Sequence, residues 1–137
     1  MKKLLAVLAL TIPLMAHAQN WAMLVETDTE RVLVDLYSVD LVEYQLDKNT
    51  KSWLMKADMA IAETGELLRV AIDAQECILK ESGLLAVYMP ADDSKHQRFW
   101  TPSGSKVYDK QGQFLCTMTK LLVERNKKES KAKKIPV

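Results

Sequence analysis

The chain's two cysteines, Cys77 and Cys116, are its first candidates for covalent chemistry. The chain opens with an export signal, described below, and the cysteines of small exported domains usually form disulfides. The sequence therefore predicts a Cys77–Cys116 bond. It would close a loop of 116 − 77 = 39 residues, which the chain-entropy model values at about 4 kcal/mol of stability. Two free buried thiols are the alternative interpretation.

The second candidate is His96, the only histidine beyond the first 18 residues. It could serve as a general base beside a Ser or Cys nucleophile, but no nucleophile motif such as G-x-S-x-G is present. With Asp92 and Asp93 it could contact a divalent metal, although structural zinc normally takes four Cys or His ligands. The four glycines stand apart and form no phosphate-binding loop. We therefore predict a protein that is not an enzyme and that has no catalytic, metal or cofactor-binding residues.

The N-terminal segment has the three parts of a secretory signal peptide. Two lysines form a basic head, residues 4–15 are mostly apolar, and Ala16-His17-Ala18 matches an A-x-A cleavage site. We expect residues 1–18 to be removed; an uncleaved N-terminal anchor is the alternative. Removal takes the basic count from 19 to 17 against 18 acids, so the net charge becomes 17 − 18 = −1. This balance does not indicate a nucleic-acid partner.

Alternating apolar and polar residues predict a mainly antiparallel α+β fold, with a single sheet of about six strands and a C-terminal helix tethered by the disulfide. The central strand is predicted over Leu67–Cys77. Polar residues predict a surface loop over 90–97, and a short extended piece is predicted over 98–100. Val70 and Ile72 alternate away from Cys77 in this strand, which would leave an apolar face for a second copy of the chain or a curled sheet to cover. The other strands are predicted at residues 21–26, 31–35, 41–45, 52–59 and 84–89.

Residues 105–118 have two interpretations. In the favoured one, a hairpin strand turns Phe114, Cys116 and Met118 inward, and a helix begins near Thr119. In the other, one helix runs from about residue 105 to residue 127. Against the long helix, Gly112 would cost about 1 kcal/mol inside it, and Cys116 would lie nearly opposite the centre of its apolar stripe. Beyond the folded domain, 19–128, we predict a basic flexible tail over 129–137 that could weakly contact an anionic surface.

Several residues along the chain together resemble the surface-adhesin protein E-like family, small exported proteins of Gram-negative bacteria. The resemblance implies an antiparallel sheet with a C-terminal helix fastened by the disulfide. It also implies a dimer that binds host extracellular-matrix or serum proteins such as vitronectin and laminin. The residues that carry it are Trp21, the V-x-V-D-x-x-S step within Val32-Leu33-Val34-Asp35-Leu36-Tyr37-Ser38-Val39, Trp53 with Lys56, Asp73 followed by Cys77, Tyr88, Trp100 and Cys116.

One function and one alternative follow from these observations. The first is an exported, non-enzymatic binding protein at the cell surface, which resembles an adhesin, binds a protein ligand and forms a homodimer. The alternative is a periplasmic accessory protein, such as an inhibitor, chaperone or envelope-assembly factor, without surface display. The family resemblance favours the first, and the lack of a lipobox cysteine near the predicted cleavage site favours the second. The sequence assigns no binding residues to either.

Overall fold

The computed structural model of the protein describes residues 21–45 and 47–134. The predicted signal peptide, 1–18, lies outside the described residues. The described chain forms a seven-stranded antiparallel sheet with two helices. In chain order the elements are β1 (Trp21–Glu26), β2 (Arg31–Asp35), a single turn of 3-10 helix (Leu36–Ser38), β3 (Asp40–Gln45), β4 (Lys51–Ile61), β5 (Glu66–Asp73), α1 (Ala74–Lys80), β6 (Gly83–Met89), β7 (Ser94–Trp100) and α2 (Val107–Lys134).

The sheet order is β1-β2-β4-β5-β6-β7, and β3 also pairs with β4. At 11 residues, β4 is long enough for β3 to pair with its first half and β2 with its last three residues. The mainly antiparallel fold with a C-terminal helix is therefore confirmed. The sheet has one strand more than the predicted six because residues 94–97, predicted as loop, belong to β7. A strand at the edge of a sheet can be polar on both faces, so its sequence resembles that of a loop.

The crossing from β2 to β3 depends on the Asp35-x-x-Ser38 step. The Asp35 carboxylate accepts a hydrogen bond from the Tyr37 N–H at 3.0 Å. The Ser38 hydroxyl donates to the Asp35 carbonyl at 2.6 Å and accepts from the Asp58 N–H at 2.7 Å. These bonds hold the turn against β4, so that the next strand joins the same edge of β4.

The buried core lies between the sheet and the helices. Trp100, at the end of β7, is among its largest fully buried side chains. Val70 and Ile72 are buried in this core, on the same side of the sheet as the helices, so the prediction that their face needs a second copy or a curled sheet to cover it is wrong. The main contributors from the strands and α2 are Val32, Val34, Met55, Ala57, Met59, Leu68, Val70, Ile72, Leu85, Trp100 and Leu115.

The central strand ends at Asp73, and the prediction that it continues to Cys77 is wrong. The Asp73 carboxylate accepts a hydrogen bond from the Glu76 N–H at 3.0 Å, which is the N-cap interaction that starts α1. The helix ends at Glu81, whose backbone is left-handed and whose N–H donates to the Cys77 carbonyl. Cys77 therefore lies on the buried side of a short helix, where strand register has no meaning.

Asp73 also accepts hydrogen bonds from the hydroxyls of Tyr44 on β3, at 3.0 Å, and Ser52 on β4, at 3.1 Å. We predict that Asp73→Ala lowers the free energy of unfolding by about 2 kcal/mol, because it removes a helix cap and the acceptor of two partly buried hydroxyls. Urea denaturation measures this difference. Asp28→Ala, an exposed turn substitution, is the control and should change stability by less than about 0.5 kcal/mol. Equal effects of the two substitutions would contradict the capping role.

The C-terminal segment is one long helix, so the favoured hairpin interpretation of residues 105–118 is wrong. The glycine that argued against a long helix has a packing role: Gly112 faces the buried Trp100, where a Cβ would overlap the indole ring. The helix face against the core also buries two polar residues. The Thr119 hydroxyl donates to the Leu115 carbonyl at 2.7 Å, and the Gln111 amide approaches the Met59 Sδ at 3.5 Å. The helix continues to Lys134, beyond residue 128, where the sequence placed the start of the tail.

The loop between β7 and α2 is tied to the first turns of the helix. The buried Asp109 carboxylate accepts hydrogen bonds from the backbone N–H groups of Thr101, at 2.9 Å, and Lys106, at 3.2 Å. The Gln113 amide donates to the carbonyls of Thr101 and Gly104. These bonds fix where α2 begins and therefore which of its side chains meet the sheet.

Candidate functional site

The predicted Cys77–Cys116 disulfide is present and joins α1 to α2. The two Cα atoms are 5.4 Å apart, and both residues are buried. The structure thus excludes the alternative of two free thiols. Because the bond fixes α1 beside α2, it also fixes the space between these helices and the sheet.

That space contains an open groove with a volume of about 670 Å³. We call it the Trp53 groove. Its walls come from the beginning of β3, the first half of β4, α1 and the middle of α2. Six of its lining residues are apolar and four are polar. They are Leu41, Trp53, Ala74, Ile78, Leu122 and Val123, together with Asp40, Gln75, Asn126 and Lys127.

Two apolar side chains of the groove are nearly half exposed to solvent. Trp53 is 45% exposed and Ile78 is 47% exposed. Trp53 alternates on β4 with Met55, which is fully buried, so both side chains point to the helix side of the sheet. Large apolar side chains that remain in water and line one groove are typical of a binding surface.

A hydrogen-bonded cluster connects three of the elements that form the groove, although its own residues do not line the groove. Tyr44 on β3 and Ser52 on β4 both donate to Asp73, which caps α1. Burial raises the pKa of the Tyr44 hydroxyl, and the neighbouring Asp73 carboxylate raises it further. The tyrosine therefore stays protonated and able to donate at neutral pH.

Two residues of opposite charge also line the groove, Asp40 from β3 and Lys127 from α2. Neither forms an ion pair with another described residue. An apolar centre with unpaired polar groups is the composition of a site that binds apolar side chains and orients their polar neighbours.

The three tryptophans have three different environments. Trp100 is 1% exposed and belongs to the core, and no described residue accepts a hydrogen bond from its Nε1. Trp21 pairs with Asp35, on the face of the sheet opposite the helices, and is partly buried. Only Trp53 lines the groove. The sequence could not single it out, because its position in the alternating pattern is that of a core residue.

The structure does not bring His96 and the two aspartates together as a metal site. Asp92 accepts hydrogen bonds from the Ser94 hydroxyl and N–H, which lower the pKa of its carboxyl group. Asp93 accepts from the Tyr88 hydroxyl at 2.9 Å, so both carboxylates hold the turn between β6 and β7. Among the side chains that the structure describes, those of residues 21–45 and 47–128, no cluster of three or more His, Cys, Asp or Glu residues could hold a metal ion.

Among the described helices, none combines the length and the apolar character needed to span a membrane.

Comparisons with protein-family models, with curated proteins and with solved structures found no match to the chain. The resemblance described above therefore rests on the residues quoted for it.

Proposed function

We propose that this protein is an exported, non-enzymatic binding protein of the adhesin kind, and that its Trp53 groove receives an apolar segment of a protein ligand. The observation that supports the proposal is the pair Trp53 and Ile78, both nearly half exposed in one groove of about 670 Å³. The disulfide and the Asp73 cluster hold the walls in place before binding. A preorganised site loses less conformational entropy when the ligand arrives.

A protein ligand fits the groove better than a buried small molecule. The groove is open to solvent, and its polar residues leave a rim that can pair with a polypeptide on either side of an apolar anchor. Tryptophan is one of the side chains enriched among residues that dominate protein interfaces, because it buries a large area with few rotatable bonds. Trp53 is therefore the residue on which we expect binding to depend most.

The first test is binding of the oxidised protein to immobilised vitronectin and laminin, the ligands implied by the family resemblance. We predict that Trp53→Ala weakens binding at least about tenfold, as expected when a central interface residue is truncated. Leu79→Ala is the matched control, because Leu79 is 71% exposed on α1 but does not line the groove. Biolayer interferometry gives both affinities. If Trp53→Ala and Leu79→Ala bind as well as the parent protein, the groove is not the site.

The alternative function is a periplasmic accessory protein that uses the same groove on an envelope protein. The observation that favours it is that Gln19, and not a cysteine, follows the predicted cleavage site. Cell fractionation with external protease separates the two functions. Degradation of the protein on intact cells supports surface display, whereas a fully protected periplasmic pool contradicts it and leaves the accessory function.

We also propose that the protein forms a homodimer, through a different sheet face from the one the sequence suggested. Met23, Leu67 and Phe99 are exposed, and their register places them on the sheet face opposite the helices. A second copy that covered this face would remove apolar surface from water. Sedimentation velocity with and without Phe99→Ser tests it.

The contact of the basic tail with an anionic surface stays a prediction, because the side chains of 129–137 are not described.

A further inference from the structure

Strand β7 forms an open edge of the sheet. Among the described strands it pairs only with β6, through a continuous register from Gly83↔Trp100 to Met89↔Ser94. Five consecutive residues, Lys95 to Phe99, are exposed; we call them the β7 edge. Alternate backbone N–H and C=O groups of an edge strand point away from the sheet, so the β7 edge is a regular template for another strand.

The other free edges of the sheet differ from this one. The register of β1 on β2 shifts between Met23 and Val25, and such a bulge disrupts pairing with a further strand. The free edge of β3 carries the acidic residues Asp40 and Glu43. The β7 edge is the one that is both regular and basic.

The basic residues of the β7 edge form no close ion pairs, although Asp92, in the turn before the strand, interacts electrostatically with His96. Lys95, His96 and Arg98 form no ion pair with any described residue, and the hydrogen bond found for the Arg98 guanidinium goes to the neighbouring Gln97 carbonyl at 3.4 Å. A second copy paired on this edge would bring its own Lys95 and Arg98 beside those already there, and no acid stands among Lys95 to Phe99. Like charges on neighbouring strands are destabilising, so this edge disfavours its own copy and favours an acidic strand.

We propose that the β7 edge binds an extended acidic peptide segment of a partner protein as an eighth strand. This goes beyond the proposed function, because the β7 edge and the Trp53 groove share no residue. Backbone hydrogen bonds would supply much of the affinity, and alternate side chains would supply the specificity. On the helix side, His96 and Arg98 line a cleft of about 200 Å³ with Tyr108, Gln111 and one acid, Glu30.

The direct test is titration of the oxidised full chain with fluorescent eight-residue peptides. The parent peptide alternates glutamate with valine, and its counterpart has lysine in place of glutamate. Two further peptides keep the glutamates but carry N-methyl groups on the odd or on the even residues, which removes the N–H donors from one side of the strand. We expect the acidic peptide to bind, the lysine peptide not to bind, and at least one N-methylated peptide to lose binding.

Charge reversal at the β7 edge tests the position. Lys95→Glu combined with Arg98→Glu should weaken binding of the acidic peptide about threefold to fivefold, the size expected from one exposed ion pair, because Lys95 and Arg98 lie on opposite faces of β7 and the glutamates of the peptide can lie beside only one of them. It should also create binding of the lysine peptide. Lys48→Glu with Lys128→Glu makes the same change in net charge on exposed residues outside β6 and β7, and should leave both affinities unchanged. Circular dichroism confirms that both variants are folded.

Three results would overturn the proposal. The first is no binding of the acidic peptide by the parent protein. The second is equal binding of both N-methylated peptides and the parent peptide, which would show that charge alone is responsible. The third is an equal loss of affinity in the Lys48/Lys128 control variant. Because the Trp53 groove is unchanged in all of these variants, each result leaves the proposed function to its own test with Trp53→Ala.

Discussion

Replacing both Cys77 and Cys116 with alanine should lower the free energy of unfolding by about 4 kcal/mol, the value that the chain-entropy model gives for this loop. The bond spans 39 residues and connects α1 to α2. Without it, the unfolded chain gains conformations, and α1 loses its cross-link to α2. For a domain of this size, 4 kcal/mol is a large part of the total stability. Urea denaturation of the oxidised parent protein and the double variant measures the difference.

The control for this prediction is the parent protein after reduction. It keeps both sulfur atoms in the buried core and lacks only the bond, so it separates the effect of the cross-link from that of lost side-chain packing. We expect reduction to account for most of the difference. If oxidised and reduced proteins unfold at the same urea concentration, the bond does not contribute to stability in the way its loop length predicts.

The same experiment has a functional consequence. Ile78 on α1 and Leu122 on α2 line the Trp53 groove, and the disulfide is the covalent link between the two helices. Reduced protein that remains folded should therefore bind vitronectin or laminin more weakly than oxidised protein. Unchanged binding after reduction would mean that noncovalent packing alone holds the two walls together.

The sheet was accessible to sequence reasoning because one face of each central strand is buried. In β4 and β5 the period of two is clear, since Met55, Ala57 and Met59 alternate with more exposed residues, as do Val70 and Ile72. An edge strand has no such constraint. In β7 the run Lys95 to Phe99 is exposed on both faces, so its residues carry no alternating signal, and the first four residues of the strand, 94–97, were predicted as part of a loop.

The two helices were harder to predict, each for a specific reason. The period of two in β5 continues by chance through Ala74 and Gln75, so the start of α1 was hidden. The available signal was Asp73 three residues before Glu76, a spacing typical of a helix N-terminus. The core face of α2 buries Gln111 and Thr119, whose side chains find partners inside the protein. Buried polar residues of this kind weaken the apolar periodicity by which a helix is recognised in a sequence.

The candidate site could be predicted only in part. The disulfide could be predicted because the chain has two cysteines and a predicted export signal, which indicates an oxidising compartment. The Trp53 groove depends on the path of α2 across the sheet, and that path is set by the Asp109 and Gln113 bonds to the β7–α2 loop. These contacts join residues that are close in sequence but fix an angle between a helix and a sheet. Periodicity contains no information about that angle.

The contact between Gly112 and Trp100 leads to a prediction about stability. Helix propensity and packing against Trp100 change the stability of Gly112→Ala in opposite directions, so the sign of the change shows which effect is larger. In an isolated helix, Gly→Ala is stabilising by about 1 kcal/mol. Here a Cβ at residue 112 would overlap the Trp100 ring, and the indole is 1% exposed, with core neighbours that limit its movement. Overpacking of a core typically costs about 1–3 kcal/mol. We therefore expect Gly112→Ala to be destabilising by about 1–2 kcal/mol.

Urea denaturation of four proteins completes this test: the parent, Gly112→Ala, Trp100→Leu, and the double variant. Leucine is smaller and more flexible than tryptophan, so it should make room for the added methyl group. Gly112→Ala should then cost less in the Trp100→Leu background than in the parent protein, which is the coupling expected of two residues in contact. If Gly112→Ala stabilises the parent protein instead, helix propensity dominates at this position. The close packing of α2 on Trp100 would then be wrong, and so would the reason given for the glycine within this helix.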